Sequence, residues 1–133
     1  MFEWKADYSV GVQEMDDQHK MLIVMINELE QVAGDKKREQ LNDVVDKLFD
    51  YARYHIQYEE KMLKENDYPD FENHHKKHVF FEEQLSAFSI RLESEDSVLL
   101  AVELAAYLYD WWFDHIENED KEYVDFFKQK GIR

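Results

Sequence analysis

His55-Ile56-Gln57-Tyr58-Glu59, followed by His74-His75-Lys76-Lys77-His78, is the stretch that decides how the chain folds. Side chains four apart on an α-helix share a face, about 40° apart around the axis. H-x-x-x-E and H-x-x-x-H can then each present two donors to one point, provided both stretches are helical. The flanking pattern predicts that they are. Leu41, Val45, Leu48, Ala52, His55, Glu59 and Met62 recur in steps of four and three, which predicts a helix from about Lys37 to Lys64. Phe71, His74, His78, Phe81, Leu85, Phe88 and Leu92 do the same over Phe71 to Leu92. Between them, Asn66-Asp67-Tyr68-Pro69-Asp70 is the clearest turn in the chain, with Asp70 as the N-cap.

Working outward, Met15, His19, Leu22, Ile26 and Leu29 predict a first helix from about Asp16 to Val32, ended by Gly34. Glu93-Ser94-Glu95-Asp96 reads as a connection. A fourth helix begins near Ser97 with Ala101, Leu104, Leu108, Trp111 and His115, and Tyr123, Phe126 and Phe127 carry it, with a bend, to about Gln129. Residues 1–14 have no helical period. Their apolar residues Trp4, Tyr8, Val10 and Val12 predict an extended arm laid across the body and anchored by Trp4. The expected architecture is all-α: an antiparallel up-down-up-down four-helix bundle over 15–133 with an extended N-terminal arm, one domain over 1–133.

Bulk properties fit this and exclude other classes. The 133 residues suffice for a core, and Gly 3 and Pro 1 leave few helix breakers. A net charge of −15 disfavours nucleic acid and anionic membranes as partners. No long apolar run or signal-peptide h-region is present, which makes a cytoplasmic protein the expectation. Without cysteine, disulfides, thiolate nucleophiles and cysteine-ligated clusters are excluded, and any metal must be held by His, Asp and Glu.

The anomaly lies on the inner stripes. His19, His55, His74, His78 and His115 fall on them, and so does Glu59. An unpaired carboxylate in a core costs several kcal/mol, so it demands a partner or a proton. Any one of these residues alone reads as a hydrogen-bonded core histidine or a surface i, i+4 pair. Together they are harder to explain so. In an antiparallel bundle the start of helix one, the end of two, the start of three and the end of four share one level, and all six residues fall there. A buried metal site explains this better than chance. Imidazole and carboxylate without thiolate suit iron, zinc, copper, manganese or nickel, and the donors are too many for one tetrahedral zinc. Two ions bridged by carboxylates fit. Helix four's acidic donor is ambiguous, but spacing favours Glu119, on the His115 face, over Asp120, roughly 140° away, unless the carboxylate must reach across to a second metal.

The set resembles the hemerythrin family, through Val10-Gly11-Val12 to Met15-Asp16-Asp17-Gln18-His19, His55-x-x-x-Glu59, His74-x-x-x-His78 and His115-Ile116-x-x-x-Asp120-x-x-Tyr123. That resemblance implies a non-haem centre of two iron ions. His74, His78 and His115 would hold one iron and His19 and His55 the other. Glu59 and Asp120 would bridge them beside a solvent-derived oxo or hydroxo group, so the resemblance selects Asp120 over Glu119. Trp112 stands where the family typically has a leucine lining the oxygen pocket, and Tyr123 is placed to bond a bridging carboxylate. His75 stays outside the ligand set. The implied activity is reversible dioxygen binding for storage, transport or scavenging, without enzyme turnover. The alternatives are an oxygen, nitric oxide or redox sensor, or a diiron enzyme acting on peroxide or nitric oxide.

Overall fold

The computed structural model describes residues 2–35, 38–93 and 96–132, without the side chains at 34, 35, 38, 39, 97 and 117–121. Four long helices dominate: α1 (Gln13–Asp35), α2 (Arg38–Glu65), α3 (Phe71–Arg91) and α4 (Ser97–Trp111). A π-helical segment, Trp112–Glu119, and a 3-10 turn, Asp120–Tyr123, carry α4 into a short α5 (Val124–Lys130). The expected bundle is the observed one, and its last helix is bent as expected. Helix α1 packs beside both α2 and α4, and α2 packs beside α3.

Boundaries differ from the expected ones in informative ways. Helix α1 starts at Gln13, three residues before Asp16, because the arm reverses just before it at Gly11, whose φ of 80° suits a residue without a Cβ. Asp16 then works from inside the first turn: its carboxylate accepts from Val10 N–H at 2.8 Å and from the Ser9 hydroxyl. The helix runs through Gly34 to Asp35, and the expected second-helix start at Lys37 lies outside the described residues, as do Ser94 and Glu95 of the connection. Asp70 precedes α3 but makes no side-chain cap bond; only its carbonyl serves, accepting from His74 N–H at 3.2 Å. The cap bond occurs instead at α4, where Asp96 Oδ1 accepts from the N–H groups of Val98 and Leu99.

The arm lies against the bundle, with one 3-10 turn at Ala6–Tyr8. Asn27 pins it, accepting from Phe2 N–H at 3.1 Å and donating to Phe2 C=O at 2.9 Å. Trp4 packs edge-on against Tyr8 and Trp112, as an anchor should.

Apolar residues collect in two clusters. The larger, including Leu22, Leu29, Leu48, Phe81, Leu104 and Trp112, fills the middle of the bundle and its far end. The smaller consists of Val10, Val12, Met15, Leu63, Tyr123 and Phe127, closed by α5 and the arm. A polar layer intervenes between them.

Candidate metal centre

That layer holds the residues singled out from the sequence. His19, Glu59 and His55 are 0%, 0% and 1% exposed, and His74, His78 and His115 no more than 3%. Helix α1 supplies His19, α2 supplies His55 and Glu59, α3 supplies His74 and His78, and the π-helical segment supplies His115.

All five imidazoles turn Nε2 toward the Glu59 carboxylate. Oε2 lies 3.2 Å from His55 and 3.9 Å from His19. Oε1 lies 3.1 Å from His78, 3.9 Å from His115, and in contact with His74. The donors form two sets, Glu59 with His74, His78 and His115, and Glu59 with His19 and His55, the atoms of each set within 4.8 Å of one another. Glu59 belongs to both. The Tyr123 hydroxyl donates to Glu59 Oε2 at 3.1 Å and also contacts Met15 Sδ at 3.2 Å.

The outward nitrogens determine what the inward ones can do. His55 Nδ1–H donates to Gln18 Oε1 at 2.7 Å, and His78 Nδ1–H donates to Glu60 Oε2 at 3.2 Å. A neutral imidazole carries a single N–H, so each of these rings presents a bare lone pair inward. The lone pair of His78 faces Glu59 Oε1 and His115 Nε2, the latter at 3.2 Å. Lone pairs so placed repel unless a proton or a cation lies among them. Protonating several buried rings would put several charges in one apolar layer, whereas a metal cation satisfies all the donors together. Adjacent donors on one octahedral ion with bonds of roughly 2.1 Å stand about 3 Å apart, close to the spacing found here. The residues fit a metal.

In the metal-free protein, protons take the cation's part. Burial pushes the Glu59 carboxyl up, but the charges of His55 and His74 and hydrogen bonds with His115 and His19 outweigh it, holding it well below the usual carboxylate range. Burial likewise raises Glu60, and hydrogen bonds with His78 and His75 bring it below its ordinary value. Burial pulls His78 down, yet its bonds to Glu59 and Glu60 carry it above the usual imidazole value.

The remaining candidates fall as follows. Trp112 is fully buried beside the layer, its indole N–H donating to the His19 carbonyl at 3.1 Å, its ring among Phe2, Trp4, Tyr8 and Phe113. The side chains of Glu119 and Asp120 lie outside the described residues. Gln18, Glu60 and Trp111, which stacks on His115 with centroids 4.4 Å apart, were not singled out. A signal for Glu60 existed: it precedes His75 by fifteen residues, the same step that separates Glu59 from His74.

Comparison with known proteins agrees. The family model described as "Hemerythrin HHE cation binding domain" matches residues 10–127. The chain belongs to the hemerythrin family. Bacteriohemerythrin of Pseudomonas aeruginosa is 33% identical over 122 residues, 92% of this chain and 78% of that protein. Bacteriohemerythrin of Clostridium acetobutylicum is 26% identical over 94% of this chain and the whole of its own length. Myohemerythrin of Theromyzon tessulatum is 26% identical over 92% of this chain and 90% of its own. A crystal structure of wild-type hemerythrin superposes with a TM-score of 0.83 at 25% identity, covering 94% of this chain and 96% of that one. The hemerythrin family is known for dioxygen binding at an iron centre. Among the described residues, no helix is long and apolar enough to cross a membrane.

Proposed function

We propose that the chain, acting as one unit of arm and bundle, binds dioxygen reversibly at a non-haem centre of two iron ions. His74, His78 and His115 would hold one iron and His19 and His55 the other, with Glu59 and Asp120 shared between them. One observation carries the reading: Glu59 is common to two donor sets drawn from four helices, which is what a bridging carboxylate must be. When bound, the irons supply the electrons that dioxygen borrows and returns. The protein's part is to hold the donors, to keep bulk water out with an apolar cluster on either side, and to fix the Glu59 carboxylate through the Tyr123 hydroxyl. Trp112 closes the oxygen pocket on the His19 side, its indole tied to that helix by the bond to the His19 carbonyl. The role we assign is carriage and storage.

The test is spectroscopic. Iron-loaded, reduced protein exposed to oxygen should develop a visible band that fades when oxygen is removed, with two irons per chain by metal analysis. His19→Ala should bind no oxygen. Continuous oxygen consumption would point to an enzyme, and full oxygen binding by the His19 variant would overturn the ligand assignment.

A further inference from the structure

The outward partners of His55 and His78 differ in charge. His78 donates to a carboxylate, Glu60, whereas His55 donates to a neutral amide, Gln18. Each partner is itself held. Gln18 is 5% exposed, and its Nε2 donates to Glu14 Oε1 at 3.1 Å, which turns the amide oxygen toward His55. Tyr54 O–H donates to that same Glu14 oxygen at 2.9 Å. Glu60 is gripped from α3 at two points, with Oε2 on His78 and Oε1 on His75, one helical turn apart. His75 is 45% exposed and stacks on Phe71, so it closes the solvent side of this grip.

An imidazole that donates its N–H to a carboxylate is a stronger electron donor through its other nitrogen than one that donates to an amide. A richer donor stabilises the higher oxidation state of the metal it holds. Building on the diiron reading above, we infer that Glu60 is a positioning residue that makes the two halves of the centre electronically unequal, through His78. The half held by His74, His78 and His115 is the harder to reduce. The half held by His19 and His55, whose partner is neutral, takes the first electron. The two one-electron midpoint potentials of the centre are therefore separated. Glu60 sets the lower one, and Gln18 leaves the upper one high.

Redox titration of the iron-loaded protein, followed by its visible spectrum, tests this. In Glu60→Gln, which keeps the shape and removes the charge, the lower potential should move up. The equilibrium constant for sharing one electron between the halves should fall at least tenfold, with iron content unchanged. In Gln18→Glu the upper potential should move down instead. His75→Gln leaves the Glu60 charge in place and should shift the lower potential by less than half as much as Glu60→Gln. If Glu60→Gln leaves both potentials where they were, the inference fails, even if stability or iron content changes. A second readout needs no iron. In the zinc-loaded protein, the His78 Nδ1 proton seen by nitrogen-15 NMR should lie far downfield and move upfield in Glu60→Gln. No movement there overturns the assignment of Glu60 as its acceptor. A wild-type chain that binds zinc but fails to load two irons would refute the diiron reading while leaving the NMR test to decide the role of Glu60.

Discussion

Glu59 meets an imidazole from each of four chain segments, and a phenol besides. That convergence makes the Tyr123 hydroxyl energetically visible. Tyr123→Phe keeps the packing of a fully buried ring and loses the bond to a charged acceptor. The expected loss is about 2 kcal/mol, read as a lower urea midpoint at unchanged slope. Trp112→Leu should act on chemistry as well as stability. It removes a large buried ring, for about 3 kcal/mol, and opens the proposed pocket. Autoxidation should then quicken, or oxygen release change, with iron content intact; unchanged rates would dismiss Trp112 as a gate. At this scale the five histidines and Glu59 were legible because a polar side chain on an apolar stripe is conspicuous, and six of them at one level are more so. Gln18 and Glu60 were not, because each borders a stripe in a chain rich in acids and amides. The direction of a neighbouring ring nitrogen gives them meaning, and in sequence only the fifteen-residue step from Glu60 to His75 hinted at it.

Among the elements, the segment after Trp111 departs most from the sequence pattern. Apolar spacing announced a continuing helix with a bend, and it could not announce π-helical turns, which cost regular hydrogen bonding and persist where tertiary contacts favour them. Helix boundaries were blurred for a similar reason. Asp16 was the expected first residue of its helix, yet it serves the arm from inside that helix. The arm's entry into α1 depends on Gly11. A Cβ added there would meet nothing within 4 Å, so the penalty of Gly11→Ala is purely conformational. At φ 80° it should amount to about 1 kcal/mol. Urea denaturation would measure it, and iron content should not change.

For the whole molecule, the polar layer between two apolar clusters couples folding to metal and to pH. In the metal-free protein, Glu59 and Glu60 sit below the ordinary carboxylate value of 4.5, so the unfolded chain binds more protons there. Their stabilisation is present above that value and lost as pH falls below it. His78 sits above the ordinary imidazole value of 6.5, so its contribution is present below 6.5 and lost as pH rises through the folded value. Metal-free protein should therefore be most stable between roughly pH 4.5 and 6.5. Metal changes the alkaline side, because its donors must be deprotonated. Loading should carry the stability maximum to higher pH, and acid should expel the metal; denaturation of both forms across a pH series would show the two maxima apart. The bundle was legible in full at this scale, since four amphipathic stripes and short connections leave few other arrangements.

The indole of Trp111 stacks on the imidazole of His115, 14° from parallel, with Phe81 stacked on it as well. Its edge borders a surface cavity of about 390 Å³ that Lys76, Lys77 and Phe80 also line. The protein thus carries its own optical gauge. A paramagnetic ion at His115 would drain the excited indole at short range, while zinc would leave it bright. Tryptophan fluorescence should darken in step with iron uptake and recover on chelation, and since Trp112 also borders the layer, the part of the signal that Trp111→Phe removes is the part that times filling of this half of the centre in unlabelled protein.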